Sequence, residues 1–178
     1  MGGAPGDLAS DPGSFDEQHD FDANALSPQL AAPHSPAHGV AIAEHGGTRI
    51  DVAYIGACTG AKLEDLRFAA EVLKGKKIAS GVQLLVAPAS LHDRALAESD
   101  GTMRVLLDAG ATLLPSACGA CAGYGDTFEA HQTVISSTAR NFKGRMGPAS
   151  TQVYLGSAYT VAASALRGRI TDPREVLA

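Results

Sequence analysis

The chain has 178 residues, 45% of them hydrophobic and 19% charged, with a net charge of −5. That length supports one globular domain with its own core, and the negative balance gives no electrostatic basis for a nucleic-acid or anionic-membrane partner. No apolar run approaches the ~20 residues of a membrane span; three cysteines without a basic-then-apolar leader point to a cytoplasmic protein whose thiols stay free or bind metal.

Residues 1–48 are rich in Gly, Pro, Asp and His. Proline interrupts "GGAPGDLASDPGS" and "LAAPHSPAHG" too often for a helix or an inner strand, so an extended arm is expected, with one short strand or helical turn in "HDFDANALSPQL". Four of the six histidines fall here (His19, His34, His38, His45). They lack metal-ligand spacing and read as solvated loop residues.

The pattern changes at residue 49, where an α/β domain is expected to begin and to run to residue 178. "IDVAYIG" reads as a buried strand. "AKLEDLRFAAEVLKGKK" follows with Leu63, Leu66, Ala70 and Leu73 on one helical face and lysines crowding its end. "GVQLLVAP" is a second buried strand, "SLHDRALAESDG" and "TMRVLLDAGA" are helices, and "TLLP" is a short strand. "TVISS" and "QVYLG" complete the strands, and "SAYTVAASALRG" is a helix of small residues. Strands alternating with helices predict a three-layer α/β/α domain with a mainly parallel sheet. Functional residues gather at the carboxyl ends of such strands. Cys58 lies just past the first strand, and Cys118 and Cys121 lie just past "TLLP", so all three thiols are expected at one sheet edge.

The pair in "SACGACA" has CxxC spacing, which brings two sulfurs to one side of a turn. A redox dithiol, a zinc half-site and a cluster ligand pair all use that spacing, and small buried cysteines are the plain alternative. Zinc would need a fourth ligand, for which His131 is the downstream histidine. A second constellation, "SSTARNFKGRMG", places Arg140 and Arg145 around Asn141 and Lys143. Paired guanidinium forks grip carboxylates, whereas isolated surface arginines are usually only solvated.

Together, "IGACTGAKLEDLRFAAEVLKG", "ACGAC" and "STARNFKGRMG" resemble the aconitase superfamily, and within it the large subunits of 3-isopropylmalate dehydratase and homoaconitase. The resemblance extends through "FDANALSPQLAAPHSP" and "VYLGSAYTVAASALRGRITDPRE". It implies a 4Fe-4S cluster held by Cys58, Cys118 and Cys121, with one iron left open as a Lewis acid. It implies that Arg140 and Arg145 contact substrate carboxylates and that Asn141 and Thr59 lie near the cluster. It further implies dehydration and isomerisation of a 2- or 3-hydroxy di- or tricarboxylic acid. The expected partners are the other large-subunit domains and a small swivelling-domain subunit, which carry the remaining catalytic groups. On this reading residues 1–48 are the join to a preceding domain, and the chain alone holds only part of an active site. Relatives usually read G-S-C-T-N and S-T-S-N-R-N-F-x-G-R, where this chain has Ala57, Gly60 and Ala139. Those changes leave a second reading, a non-catalytic iron–sulfur module of the same family.

Overall fold

A computed structural model describes residues 13–125 and 128–177. Residues 1–12 of the expected arm lie outside the described residues. The arm begins with a helical turn at Ala23–Ala25, capped by Asp22, whose carboxylate accepts from Asn24 N at 2.9 Å. It continues into β1 (Gln29–Ala31), β2 (Gly39–Ala41) and a short helix, α1 (Ile42–His45). The α/β body follows as β3 (Val52–Gly56), α2 (Leu63–Leu73), β4 (Gln83–Ala87), α3 (Leu91–Ser99), α4 (Thr102–Ala109) and β5 (Thr112–Leu113). It closes with β6 (Thr133–Ser136), β7 (Gln152–Leu155) and α5 (Ala158–Arg167).

The sheet has seven strands in the order β2-β1-β7-β6-β3-β4-β5. The five strands from β3 onward pair in parallel. β1 joins β7 and β2 antiparallel. The arm thus supplies an inner strand despite its prolines, because Pro28 and Pro33 flank β1 instead of occupying it. A strand only three residues long lacks the alternation that would reveal it.

Strict alternation in the central strands divides the core. Ala53, Ile55, Leu84, Val86 and Ile135 face one cluster, into which Leu66, Leu106, Val161 and other residues of α2–α5 pack. Val52, Tyr54, Leu85, Ala87, Val134 and Val153 face the other. The helices therefore form one outer layer. The layer on the opposite face is thin, built from a helical turn at Gly119–Ala122 and from loops bearing Phe128 and Met146. This is the expected α/β architecture with a mainly parallel sheet.

Local chemistry sets the helix ends. Ser90 Oγ accepts from Asp93 N at 3.0 Å at the start of α3, and Ser157 Oγ from Thr160 N at 3.2 Å at the start of α5; such caps satisfy donors the helix leaves unpaired. Helix α4 lies between Gly101 and Gly110, both left-handed, a conformation that favours glycine.

Candidate functional site

Because β3, β4, β5 and β6 are parallel, their carboxyl ends open on one edge. From β3 the chain winds outward to β4 and β5, then returns to β6 on the other side of β3. That reversal makes the β3/β6 boundary a topological switch point, the place where open α/β sheets bind ligands. The loop after β3 carries Ala57, Cys58, Thr59 and Gly60. The loop after β6 carries Ser137 through Gly147, and the segment after β5 carries Cys118 and Cys121. All three cysteines lie on this edge, as their positions in the sequence led us to expect.

Cys118 and Cys121 are neighbours on one turn, closed by Cys121 N donating to Cys118 O at 3.0 Å. Cys121 is 7% exposed, whereas Cys118 and Cys58 are exposed, and all three thiols are free. Burial pushes the Cys121 thiol up and the neighbouring Cys118 sulfur pushes it further, while the Arg145 guanidinium beside it pulls it partly back. Tyr54 lies beneath the pair, 1% exposed, its ring edge-on to Phe128 with centroids 5.8 Å apart. Desolvation, with added negative potential from Cys121 and Cys118, raises its phenol to about 12. A cavity of about 240 Å³ lined by Tyr54, Ala87, Leu114, Ala117, Gly119 and Tyr124 adjoins the CxxC turn. Roomier hollows of about 410 and 540 Å³ lie toward the opposite end, around Arg167, and contain no thiol.

The loop after β6 divides its residues between support and solvent. Asn141 is fully buried; its amide donates to Ala32 O at 3.0 Å and Val153 O at 2.9 Å, joining the arm to β7. Ser136 Oγ and Thr138 Oγ1 share a buried hydrogen bond of 2.9 Å. Arg140 is exposed, and Arg145 is half-buried with an Nε that finds no partner among the described residues. Thr59 is exposed. The two arginines therefore stand in different surroundings: Arg140 faces solvent, and Arg145 faces the thiol pair.

Ser137 ties two of the loops together. Its Oγ accepts from Gly56 N at 3.1 Å and donates to Gly60 O at 2.6 Å. Gly60 is buried, and a Cβ there would overlap the Ser137 carbonyl. Gly123 is similarly constrained: it is left-handed, and a Cβ would lie 2.8 Å from Arg145 O. Sequence reasoning placed the stretch from Ser136 to Thr138 near the site but missed the clamping role of Ser137, whose partners lie far upstream, and missed Tyr54, which reads as an ordinary strand residue. The available signal for Ser137 was its position just past a strand's carboxyl end, and the sequence carried none for Tyr54.

The fold is an α/β domain with its three cysteines at the carboxyl edge of the sheet, and comparison with known proteins identifies the family. A family model described as "Aconitase family (aconitate hydratase)" matches residues 43–168, and the chain belongs to that family. It is 43% identical over 169 residues to the 3-isopropylmalate dehydratase large subunit of Campylobacter hominis, covering 93% of this chain and 40% of that protein. It is 43% identical over 154 residues to that of Pyrococcus horikoshii, covering 86% and 40%. It is 41% identical over 170 residues to large subunit 1 of Archaeoglobus fulgidus, covering 95% and 41%. The chain thus spans about two fifths of the length of the curated relatives it matches.

Family membership implies an iron–sulfur cluster in general terms, and the donor set suits one in kind: three free, soft sulfur ligands on one edge. Two are side by side. Cys58 stands apart on the neighbouring loop, and among the described residues no three His, Cys, Asp or Glu side chains form a metal-holding group. No helix of the described residues is long and apolar enough to cross a membrane.

Proposed function

We propose that this chain is the cluster-bearing part of a hydro-lyase that dehydrates and isomerises a 2- or 3-hydroxy di- or tricarboxylic acid, as 3-isopropylmalate dehydratase does. Cys58, Cys118 and Cys121 would hold a 4Fe-4S cluster within a domain spanning residues 49–178, preceded by the arm of residues 1–48. The observation that carries this reading is that all three cysteines lie in segments at the carboxyl edge of the sheet, two of them on one turn. When bound, the cluster supplies an open iron that acts as a Lewis acid toward a substrate hydroxyl.

The chain's own residues would bind and orient. Arg140, exposed at the carboxyl edge, takes a substrate carboxylate through its guanidinium fork. Arg145 sets the electrostatics of the Cys121 sulfur and completes the positive side of the site. Tyr54 and Phe128 pack with buried Cys121 and shield that thiol from water, and Asn141 and Thr59 belong to the loops around the cluster. The proton taken from carbon is assigned to a base on a small swivelling-domain subunit, and further substrate contacts to the other large-subunit domains. A reducing cytoplasm keeps the thiols available.

A second reading, a non-catalytic iron–sulfur module, is favoured by one observation: Gly60 has no room for the side chain that relatives carry there. A single experiment separates the two. The chain is reconstituted anaerobically with iron and sulfide, then mixed with a 3-isopropylmalate dehydratase small subunit and the missing large-subunit domains. Hydration activity and a substrate-induced change in the cluster spectrum are expected. A cluster that forms but never responds to 3-isopropylmalate or citrate-like acids would establish the second reading, and no cluster at all would defeat both.

A further inference from the structure

We infer that Ser137 is the positioning residue for Cys58, and that Gly60 is a glycine because only glycine admits Ser137 to that place. The inference deepens the cluster reading above and rests on it only for the identity of what Cys58 binds.

Cys58 sits on the short connection, residues 57–62, between the end of β3 and the start of α2. An exposed thiol on a short loop has no packing of its own to fix it. What fixes the loop is a clamp across the switch point. Ser137 N donates to Tyr54 O at 3.0 Å, extending the β3/β6 ladder one residue beyond the end of β6. From that anchored position Ser137 Oγ accepts from Gly56 N at 3.1 Å and donates to Gly60 O at 2.6 Å. One hydroxyl therefore holds the residues two before and two after Cys58, both as acceptor and as donor. A hydroxyl has one proton and two lone pairs, so both bonds are made at once.

Gly60 is the complementary half. A Cβ at residue 60 would overlap the Ser137 carbonyl oxygen and crowd its Oγ, 2.8 Å away. The obstacle is backbone at the end of a paired strand, which cannot swing aside as a side-chain tip could. Any side chain at residue 60 would push Ser137 out and release the loop.

The test combines backbone exchange with cysteine footprinting on the full chain. In Ser137→Ala, hydrogen exchange at the Gly56 amide should rise about tenfold, the loss of one ordinary hydrogen bond, while the β4 amides stay unchanged. After anaerobic reconstitution with iron and sulfide, the wild-type chain should protect all three cysteines from iodoacetamide. Ser137→Ala should expose Cys58 while Cys118 and Cys121 remain protected. Ser137→Thr, which keeps the hydroxyl, should restore protection, and Gly60→Ala and Gly60→Asn should behave like Ser137→Ala. Unchanged Gly56 exchange in Ser137→Ala, or Cys58 protection equal to wild type in Gly60→Asn, would overturn the inference. If the wild-type chain protects no cysteine, the cluster reading fails, and the exchange arm still decides whether Ser137 holds the Cys58 loop.

Discussion

The side-chain amide of Asn141 donates to the carbonyl of Ala32 at 3.0 Å, joining two residues that lie 109 positions apart. The same nitrogen reaches Val153 O at 2.9 Å, so one amide holds the arm, the β7 strand and the loop after β6 in fixed relation. Asn141 belongs to the motif that first suggests a ligand-binding role, and its amide is spent on scaffolding. It stiffens the loop from which Arg140 and Arg145 project.

Replacing Asn141 with Ala should therefore cost roughly 2–4 kcal/mol, since it leaves two buried carbonyls without donors. In a chain of this size that is a fall in Tm of roughly 5–15 °C. Asn141→Asp should be worse at neutral pH, because it removes the donors and buries a charge. Thermal unfolding followed by circular dichroism measures both. A loss below 1 °C in Asn141→Ala would refute the scaffolding role.

The Cys121 thiol titrates above the usual thiol range because it is buried and lies beside Cys118, with Arg145 offsetting part of the shift. In the cluster-free chain, iodoacetamide should reach buried Cys121 more slowly than exposed Cys118, and the rate-against-pH midpoint of Cys121 should lie above the usual thiol value. Removing the guanidinium in Arg145→Met takes away a positive neighbour that favours the thiolate, so the Cys121 midpoint should rise further. Peptide mapping at a series of pH values reads this directly; a midpoint that falls in Arg145→Met would contradict the placement.

Tyr54 gives an alkaline signature. Its phenol is raised from 10.0 to about 12, chiefly by burial. A group with a raised folded pKa contributes stability in full below the unfolded value and loses it as pH climbs through the folded value. The cluster-free chain should therefore weaken between about pH 10 and 12. Tyr54→Phe keeps the ring packed on Phe128 and should flatten that part of the decline. Urea midpoints across the range check it, and an unchanged slope in Tyr54→Phe would show that Tyr54 is not the group responsible.

The parts of this molecule that could be read from the sequence are those whose signal is local. Val52–Gly56 is an unbroken apolar run, β4 is apolar after Gln83, and α2 and α5 carry apolar faces at helical spacing, so their elements and parallel order were accessible. The cysteines were accessible because spacing and position after strands are one-dimensional facts. A short strand in this stretch was expected, but the inner position of β1 escaped, because three residues between prolines carry no period and its place in the sheet depends on β7, far downstream. The role of Ser137 escaped because both of its loop bonds cross some 80 residues. The division between exposed Arg140 and half-buried Arg145 depends on the turn at Gly144, not on anything in the spacing of the motif.

The most direct test of the central claim, three thiols holding a cluster with one open iron, is the electron paramagnetic resonance spectrum of the reconstituted chain after mild oxidation. An iron without a protein ligand should leave first, giving a 3Fe-4S signal that disappears when iron is restored. The same treatment of Cys58→Ala should give no such signal. A wild-type chain that yields no iron–sulfur signal, or a Cys58→Ala chain that matches wild type, would contradict the account.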